Sequence, residues 1–200
     1  MVAAAEEHAA LLEQWLARER EVMVMQERAG CGVARPDQVA GRSGLELMQA
    51  ILLGELPYPP IARTLSYRLV EVGAGHAVFQ GKPGPDYFNP MGGIHGGWYA
   101  TLLDSALGCA VYTVMPAGRA YTTAELSVNL VKGIGPKVQR VRAEGRVVHA
   151  GRQLATAEAR LFGPDGTLYA HGTTTCLVFE ARQGVGTPQI ERSRWPLRLS

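Results

Sequence analysis

The stretch Asn89–Met115, NPMGGIHGGWYATLLDSALGCAVYTVM, decides how the rest of the chain must fold. It opens as a glycine-rich turn and passes through His95, Gly96 and Gly97. It then runs on as an apolar helix with one acid, Asp104, near its middle. A helix apolar on nearly all sides has to be covered on most of its surface. An ionised carboxylate inside that packing is costly unless it is paired or put to use.

His95 and Asp104 are nine positions apart. On one helix they lie about 13 Å from each other and about half a turn out of phase. Both can serve one reacting atom only if the second comes from another copy of the chain, across a two-fold axis. On the side of Asp104, Gly97, Ala100, Thr101 and Gly108 leave room for close approach by a backbone or a ligand. At the helix start, free N–H groups and the positive dipole end favour a developing negative oxygen. Gly96 and Gly97 carry no side chain to keep a carbonyl away from their amides, which is the layout of an oxyanion hole.

The flanks predict the cover. Upstream, Thr64–Val72 and His76–Lys82 read as strands joined by a Val-Gly-Ala-Gly turn. Downstream, Tyr121–Val131, Val138–His149, Arg152–Phe162 and Leu168–Phe179 alternate with period two. One long helix among about six strands predicts an α+β fold in which a curved antiparallel sheet wraps the helix. Before it, residues 3–28 read as an amphipathic helix with Leu11, Leu12, Trp15, Leu16, Val22 and Met23 near a 3.6 period. Ser43 caps a second helix that is expected to run to Pro57. The expected division is a helical extension and linker over 1–42, the main domain over 43–180, and a polar, Arg-rich tail over 181–200.

Composition narrows the function. With 46% hydrophobic and 19% charged residues, the 200-residue chain belongs to the globular class. A formal charge of +2 gives no reason to expect nucleic acid as a partner. The N-terminal residues are acidic and lack a cationic start, unlike a targeting peptide, and the central Asp argues against a membrane span, so a cytoplasmic protein is expected. Cys31, Cys109 and Cys176 suit neither a disulfide framework nor zinc. His8, His149 and His171 have no ligand spacing, so no metal and no cofactor is expected.

Taken together, Asn89, the MGGIHGG turn, LLDSALG, TTAELSVNLV and VVHAGRQLATAEARLFGPDGTLYAHGTTT resemble the hotdog-fold acyl-CoA thioesterases of the phenylacetate-pathway (PaaI-like) type. The resemblance spans about Ser43 to Phe179. It implies hydrolysis of an aryl- or medium-chain acyl-CoA, with coenzyme A entering only as part of the substrate, in a homodimer or a homotetramer built of two dimers. By the same resemblance, Asn89 helps hold the water or thioester, His95 with the Gly96 and Gly97 amides polarises the carbonyl, and Asp104 is general base or nucleophile from across the dimer. Thr123, or Thr122 if the register slips by one, positions the water. Asn129, Lys132 and Gly133, together with His149, Gly151 and Arg152, match segments lining the coenzyme A groove. A hotdog hydratase or dehydratase and a non-catalytic acyl-CoA sensor are the competing readings. The first lacks its acid at the required spacing, since residue 87 is Tyr and the acid is Asp86.

Overall fold

The computed structural model describes residues 2–181. The expected tail, apart from its first residue, lies outside the described residues. Helix α1 (Val2–Gln26) leads through a short helix α2 (Pro36–Val39) to α3 (Gly44–Leu52) and α4 (Pro60–Thr64). Strands β1 (Tyr67–Gly73) and β2 (His76–Gly81) precede the long helix α5 (Gly96–Thr113). Strands β3 (Arg119–Leu130), β4 (Val141–Ala150), β5 (Leu154–Phe162) and β6 (Leu168–Glu180) follow it. All six strands form one antiparallel sheet in the order β1-β2-β4-β5-β6-β3. This is the hotdog architecture: Leu102, Leu103, Ala106, Leu107, Ala110 and Val111 of α5 are completely buried against the sheet's concave face. Gly145 marks where helix and sheet meet most closely, because a Cβ there would stand 2.3 Å from the Ala106 carbonyl oxygen.

Ser43 caps α3 as expected. Its hydroxyl accepts from the Glu46 N–H while the Glu46 carboxylate accepts from the Ser43 N–H at 2.7 Å, a reciprocal capping box. Several boundaries shift by two or three residues, and two of the differences from the sequence reading have a plain backbone cause. Helix α3 ends at Leu52, ahead of the prolines, because Gly54 takes φ +71 and turns the chain. That glycine also lies against the end of α1, where a Cβ would meet the Met25 carbonyl oxygen at 1.8 Å. Residues 60–64 form α4 with Pro60 in its first turn, so Thr64, expected to open the strand Thr64–Val72, is helical, and β1 begins only after Ser66 at φ +49.

Helix α1 lies on the convex face of β1, β2 and β4, and its contact stripe is half polar. Trp15, Glu19, Val22 and Gln26 are buried, while Leu11 and Met23, expected to face inward, are exposed. Gln80, fully buried, donates to the Trp15 carbonyl and accepts from Arg142 Nε at 2.9 Å. The Arg142 guanidinium stacks over the Trp15 ring at 4.5 Å and pairs with Glu71 at 2.6 Å. Arg140 and Glu19 close a further pair at 2.7 Å.

Candidate active site

The loop before α5 folds back on itself. Asn89 Oδ1 accepts from the N–H groups of Met91 (2.9 Å) and Gly93 (3.1 Å), the Asn89 N–H donates to the Gly93 carbonyl at 2.7 Å, and Phe88 bridges to Ile94. The His95 N–H then donates to the Tyr87 carbonyl at 2.8 Å. Asn89 and His95 thus belong to one tight loop, and the Asn89 side chain keeps only its NH₂ free of the turn. His95 is the N-cap of α5, and its Nδ1 accepts from the Gly97 N–H at 2.9 Å. That bond places the proton of the neutral ring on Nε2 and makes the exposed edge of His95 a donor. It also occupies the Gly97 amide, whereas the Gly96 N–H has no intrahelical acceptor.

Halfway along α5, Asp104 is half-buried and accepts from Thr123 Oγ1 at 3.2 Å through Oδ1. Of the two adjacent threonines, Thr123 is the one that reaches the acid. A bulge between Thr123 and Glu125 interrupts the β3–β6 register beside it. The Tyr121 phenol packs on Gly108, one turn further along α5, so closely that a Cβ there would stand 2.6 Å from its oxygen. Burial raises that phenol well above its ordinary range, with the Asp104 charge adding to the shift. Ser105, which the sequence does not single out, donates to the Tyr67 hydroxyl at 3.0 Å on the adjoining face. No sequence pattern ties a serine on α5 to a tyrosine thirty-eight positions away at the head of a strand.

The remaining candidates fall into two groups at opposite ends of the sheet. Asn129, Lys132 and Gly133 stand where β3 ends. The Lys132 N–H donates to the Tyr169 carbonyl, and Leu130 lies against Gly96. His149, Gly151 and Arg152 form the β4–β5 turn, where the Arg119 guanidinium donates to the Arg152 carbonyl. Leu130 is level with Ala170 and Leu154 with Leu177. Seven residues of strand separate those levels, about 23 Å at 3.3 Å per residue. One chain therefore brings together Asp104 with Thr123, and Asn89 with His95 and Gly96, but does not join the two groove segments.

The fold coincides with that of known proteins. A model of the thioesterase superfamily matches residues 91–170. A solved protein of that superfamily is 31% identical over 67% of this chain and 97% of its own length, with a TM-score of 0.54. The chain belongs to the thioesterase superfamily. A thioesterase family protein from Silicibacter pomeroyi is 27% identical, covering 61% of this chain and 90% of its own, with a TM-score of 0.56. A point mutant of the phenylacetic acid degradation protein PaaI from Thermus thermophilus is 26% identical over 59% and 97%, at 0.53. The PaaI type that the motifs resemble is thus among the relatives of this thioesterase-superfamily chain. None of the curated proteins matches it. Among the described residues no helix is long and apolar enough to cross a membrane, and no three His, Cys, Asp or Glu side chains cluster as metal ligands.

Proposed function

We propose that this chain hydrolyses acyl-CoA thioesters at a site shared by two copies, with Asp104 as the attacking or base carboxylate. The observation that carries the reading is the Asp104–Thr123 pair: a half-buried acid on the central helix, one oxygen held by a hydroxyl and the other left to act. A thioester carbonyl needs a deprotonated attacker and donors for the oxyanion. The Gly96 N–H and the Nε2–H of His95 supply donors, and the Asn89 NH₂ a third. Either Asp104 takes a proton from water as that water adds to the carbonyl, or its oxygen attacks and the C–S bond breaks to leave an anhydride that water then opens.

Within one chain the donors and the acid sit at different levels of α5. Strand β3 supports the two-copy solution, because it is a sheet edge exposed along most of its length. Two such edges paired antiparallel about a dyad at Ser127 would, with the bulge after Thr123 counted, set Thr123 of one copy level with Leu130 of the other. Leu130 abuts Gly96, so the acid of one copy would face the amide-rich turn of its mate. The same dyad turns the Asn129–Gly133 end of one copy toward the His149–Arg152 end of the other, which would let Lys132 and Arg152 serve one coenzyme A.

The test is a panel of acyl-CoA substrates with a thiol reagent reporting released coenzyme A. Turnover that disappears in Asp104→Asn supports the assignment. Ligand binding without any release would make the protein a sensor instead.

A further inference from the structure

Strand β3 changes its inward set of residues part-way along. Tyr121 packs on Gly108 and Thr123 reaches Asp104, so both side chains point toward α5. Strict alternation would turn Glu125, Ser127 and Asn129 toward the helix as well and leave Leu126, Val128 and Leu130 outside. The opposite holds: Val128 packs against the core and Leu130 lies against Gly96. The reversal is made at one place. Thr123 pairs with Cys176 and Glu125 with Thr175, so Ala124 is the extra residue of a bulge. That one residue lets a threonine level with the acid share a face with the apolar residues that follow it.

The bulge is held from β6. Thr174, buried and level with Leu126, donates through Oγ1 to the Glu125 carbonyl at 2.7 Å. A hydroxyl has one proton, and here it is committed to that carbonyl. The Cys176 sulfur stands 3.8 Å from the same oxygen. Burial raises the Cys176 thiol, so it keeps its proton. In that contact the thiol is therefore the donor and Thr174 the acceptor. The inner face carries one connected set of contacts. Cys176 orients the Thr174 hydroxyl, that hydroxyl fixes the carbonyl on one side of the bulge, and Thr123 on the other side donates to Asp104 at 3.2 Å.

We infer that Thr174 is a positioning residue for the Asp104 site: it locks the β3 bulge in register and so keeps the Thr123 hydroxyl on the acid, with Cys176 directing its proton. The inference rests on the thioester reading above for what Asp104 does, and adds the residues that aim its partner. Without the clamp the bulge is free to relax, and a one-residue slip of β3 turns Thr123 to the other face.

Threonine-methyl NMR of the full-length, ligand-free protein follows Thr123 without turnover, its signal being assigned by its loss in Thr123→Val. The signal should move in Thr174→Val, which keeps the bulk of the side chain without the hydroxyl, and return to its wild-type position in Thr174→Ser. Asp104→Asn should move it in the wild type and leave it unmoved in the Thr174→Val background, where the two groups have parted. Acyl-CoA turnover should follow the same order: kcat falls about 10–100-fold in Thr174→Val with KM within about twofold, and Thr174→Ser recovers most of the loss. Added to Thr123→Val, Thr174→Val should cost almost nothing more, since both remove one hydrogen bond. If Thr174→Val does not fold, Thr174→Ala is read in the same way. A Thr123 signal left in place in a folded variant without the hydroxyl overturns the inference, and so does a displacement that Thr174→Ser fails to restore. The expected NMR pattern in a protein that hydrolyses no acyl-CoA would uphold the clamp and sink the hydrolase reading. Hydrolysis together with an unmoved signal would do the reverse.

Discussion

The two edges of the sheet are treated in opposite ways. Strand β1 is closed from within the chain: Arg18 Nε donates to the Val70 carbonyl at 3.0 Å and Gln26 Nε2 to the Leu69 carbonyl at 3.3 Å, so side chains of α1 occupy acceptors that an edge strand would otherwise present. Strand β3 has no such cover among the described residues. Leu126 is 36% exposed and Leu130 55%, and the residues between them are open on both faces except for Val128, which is half-buried. An edge with its apolar side chains left in water invites pairing with another copy, whereas a plugged one resists it. The candidate acid is held from the open edge, through Thr123 of β3, and a small apolar cavity walled by Met48, Ile51, Ala62, Leu69, Phe79 and Cys109 lies on the closed side.

The hardest test of this contrast removes the acid on the open side. Asp104→Asn keeps the size of the side chain and its ability to accept from Thr123 but loses the base or nucleophile. Turnover of any acyl-CoA should fall on the order of 10²–10⁴-fold, the range for loss of a general base, while affinity for an inert thioether analogue stays within a few-fold. Steady-state kinetics and calorimetry check the split. A variant retaining full turnover would place the base elsewhere.

Next in size is the edge itself. Leu126→Arg puts a charge near the centre of the exposed strand, one residue from the proposed dyad and so diagonally beside its own copy if β3 pairs there. Analytical ultracentrifugation should then report a shift toward monomer, and activity should drop in parallel, by about 10²-fold, as the acid and the donors part. A fully active monomer would break the shared-site account outright.

How much of this could be read from residues alone follows the same division. On the open side, the apolar helix and the period-two strands predicted a curved antiparallel sheet around one helix, and the residues themselves drew attention to His95 and Asp104; the hotdog family and Thr123 entered through the resemblance of the motifs. On the closed side, periodicity misled. Leu11 and Met23 looked like core residues, yet the buried stripe of α1 runs Trp15, Glu19, Val22 and Gln26. Two of those four are polar, because the surface they meet offers backbone carbonyls and Arg140 rather than hydrocarbon. A hydrophobic pattern cannot anticipate a docking face whose partners are hydrogen-bonding groups from strands forty or more positions away. The cavity escaped for a related reason: its walls come from several separate elements, and none of their residues is unusual on its own.

The closed side yields a stability prediction of intermediate size. Arg142 is held by Glu71, Gln80 and the Trp15 ring, and its side chain is only 11% exposed. Arg142→Ala leaves the buried Gln80 oxygen unanswered and should cost about 1–3 kcal/mol by denaturant titration, the range for a buried acceptor left without its donor. Combining it with Gln80→Leu should recover part of that loss, since the orphaned amide goes too. Strict additivity would mean the two side chains are not coupled as their 2.9 Å contact implies.

The smallest effect concerns alkaline pH. The Cys109 thiol, raised from 9.0 to about 12 by burial beneath α3 and α4, stays protonated in the folded chain where the unfolded chain ionises. Below pH 9 both states hold the proton and the thiol contributes no slope. Between about pH 9 and 12 the unfolded state binds fewer protons, so folding stability declines as pH rises, by about 1.4 kcal/mol per unit from this group alone. Buried tyrosines such as Tyr121 add to the decline in the wild type. Cys109→Ala should therefore shift absolute stability for packing reasons and, independently, make the slope above about pH 9 shallower by about that amount. An unchanged slope would mean that the Cys109 thiol is solvated in the folded chain, and the distinction between a covered flank and an open one would then fail at the cavity.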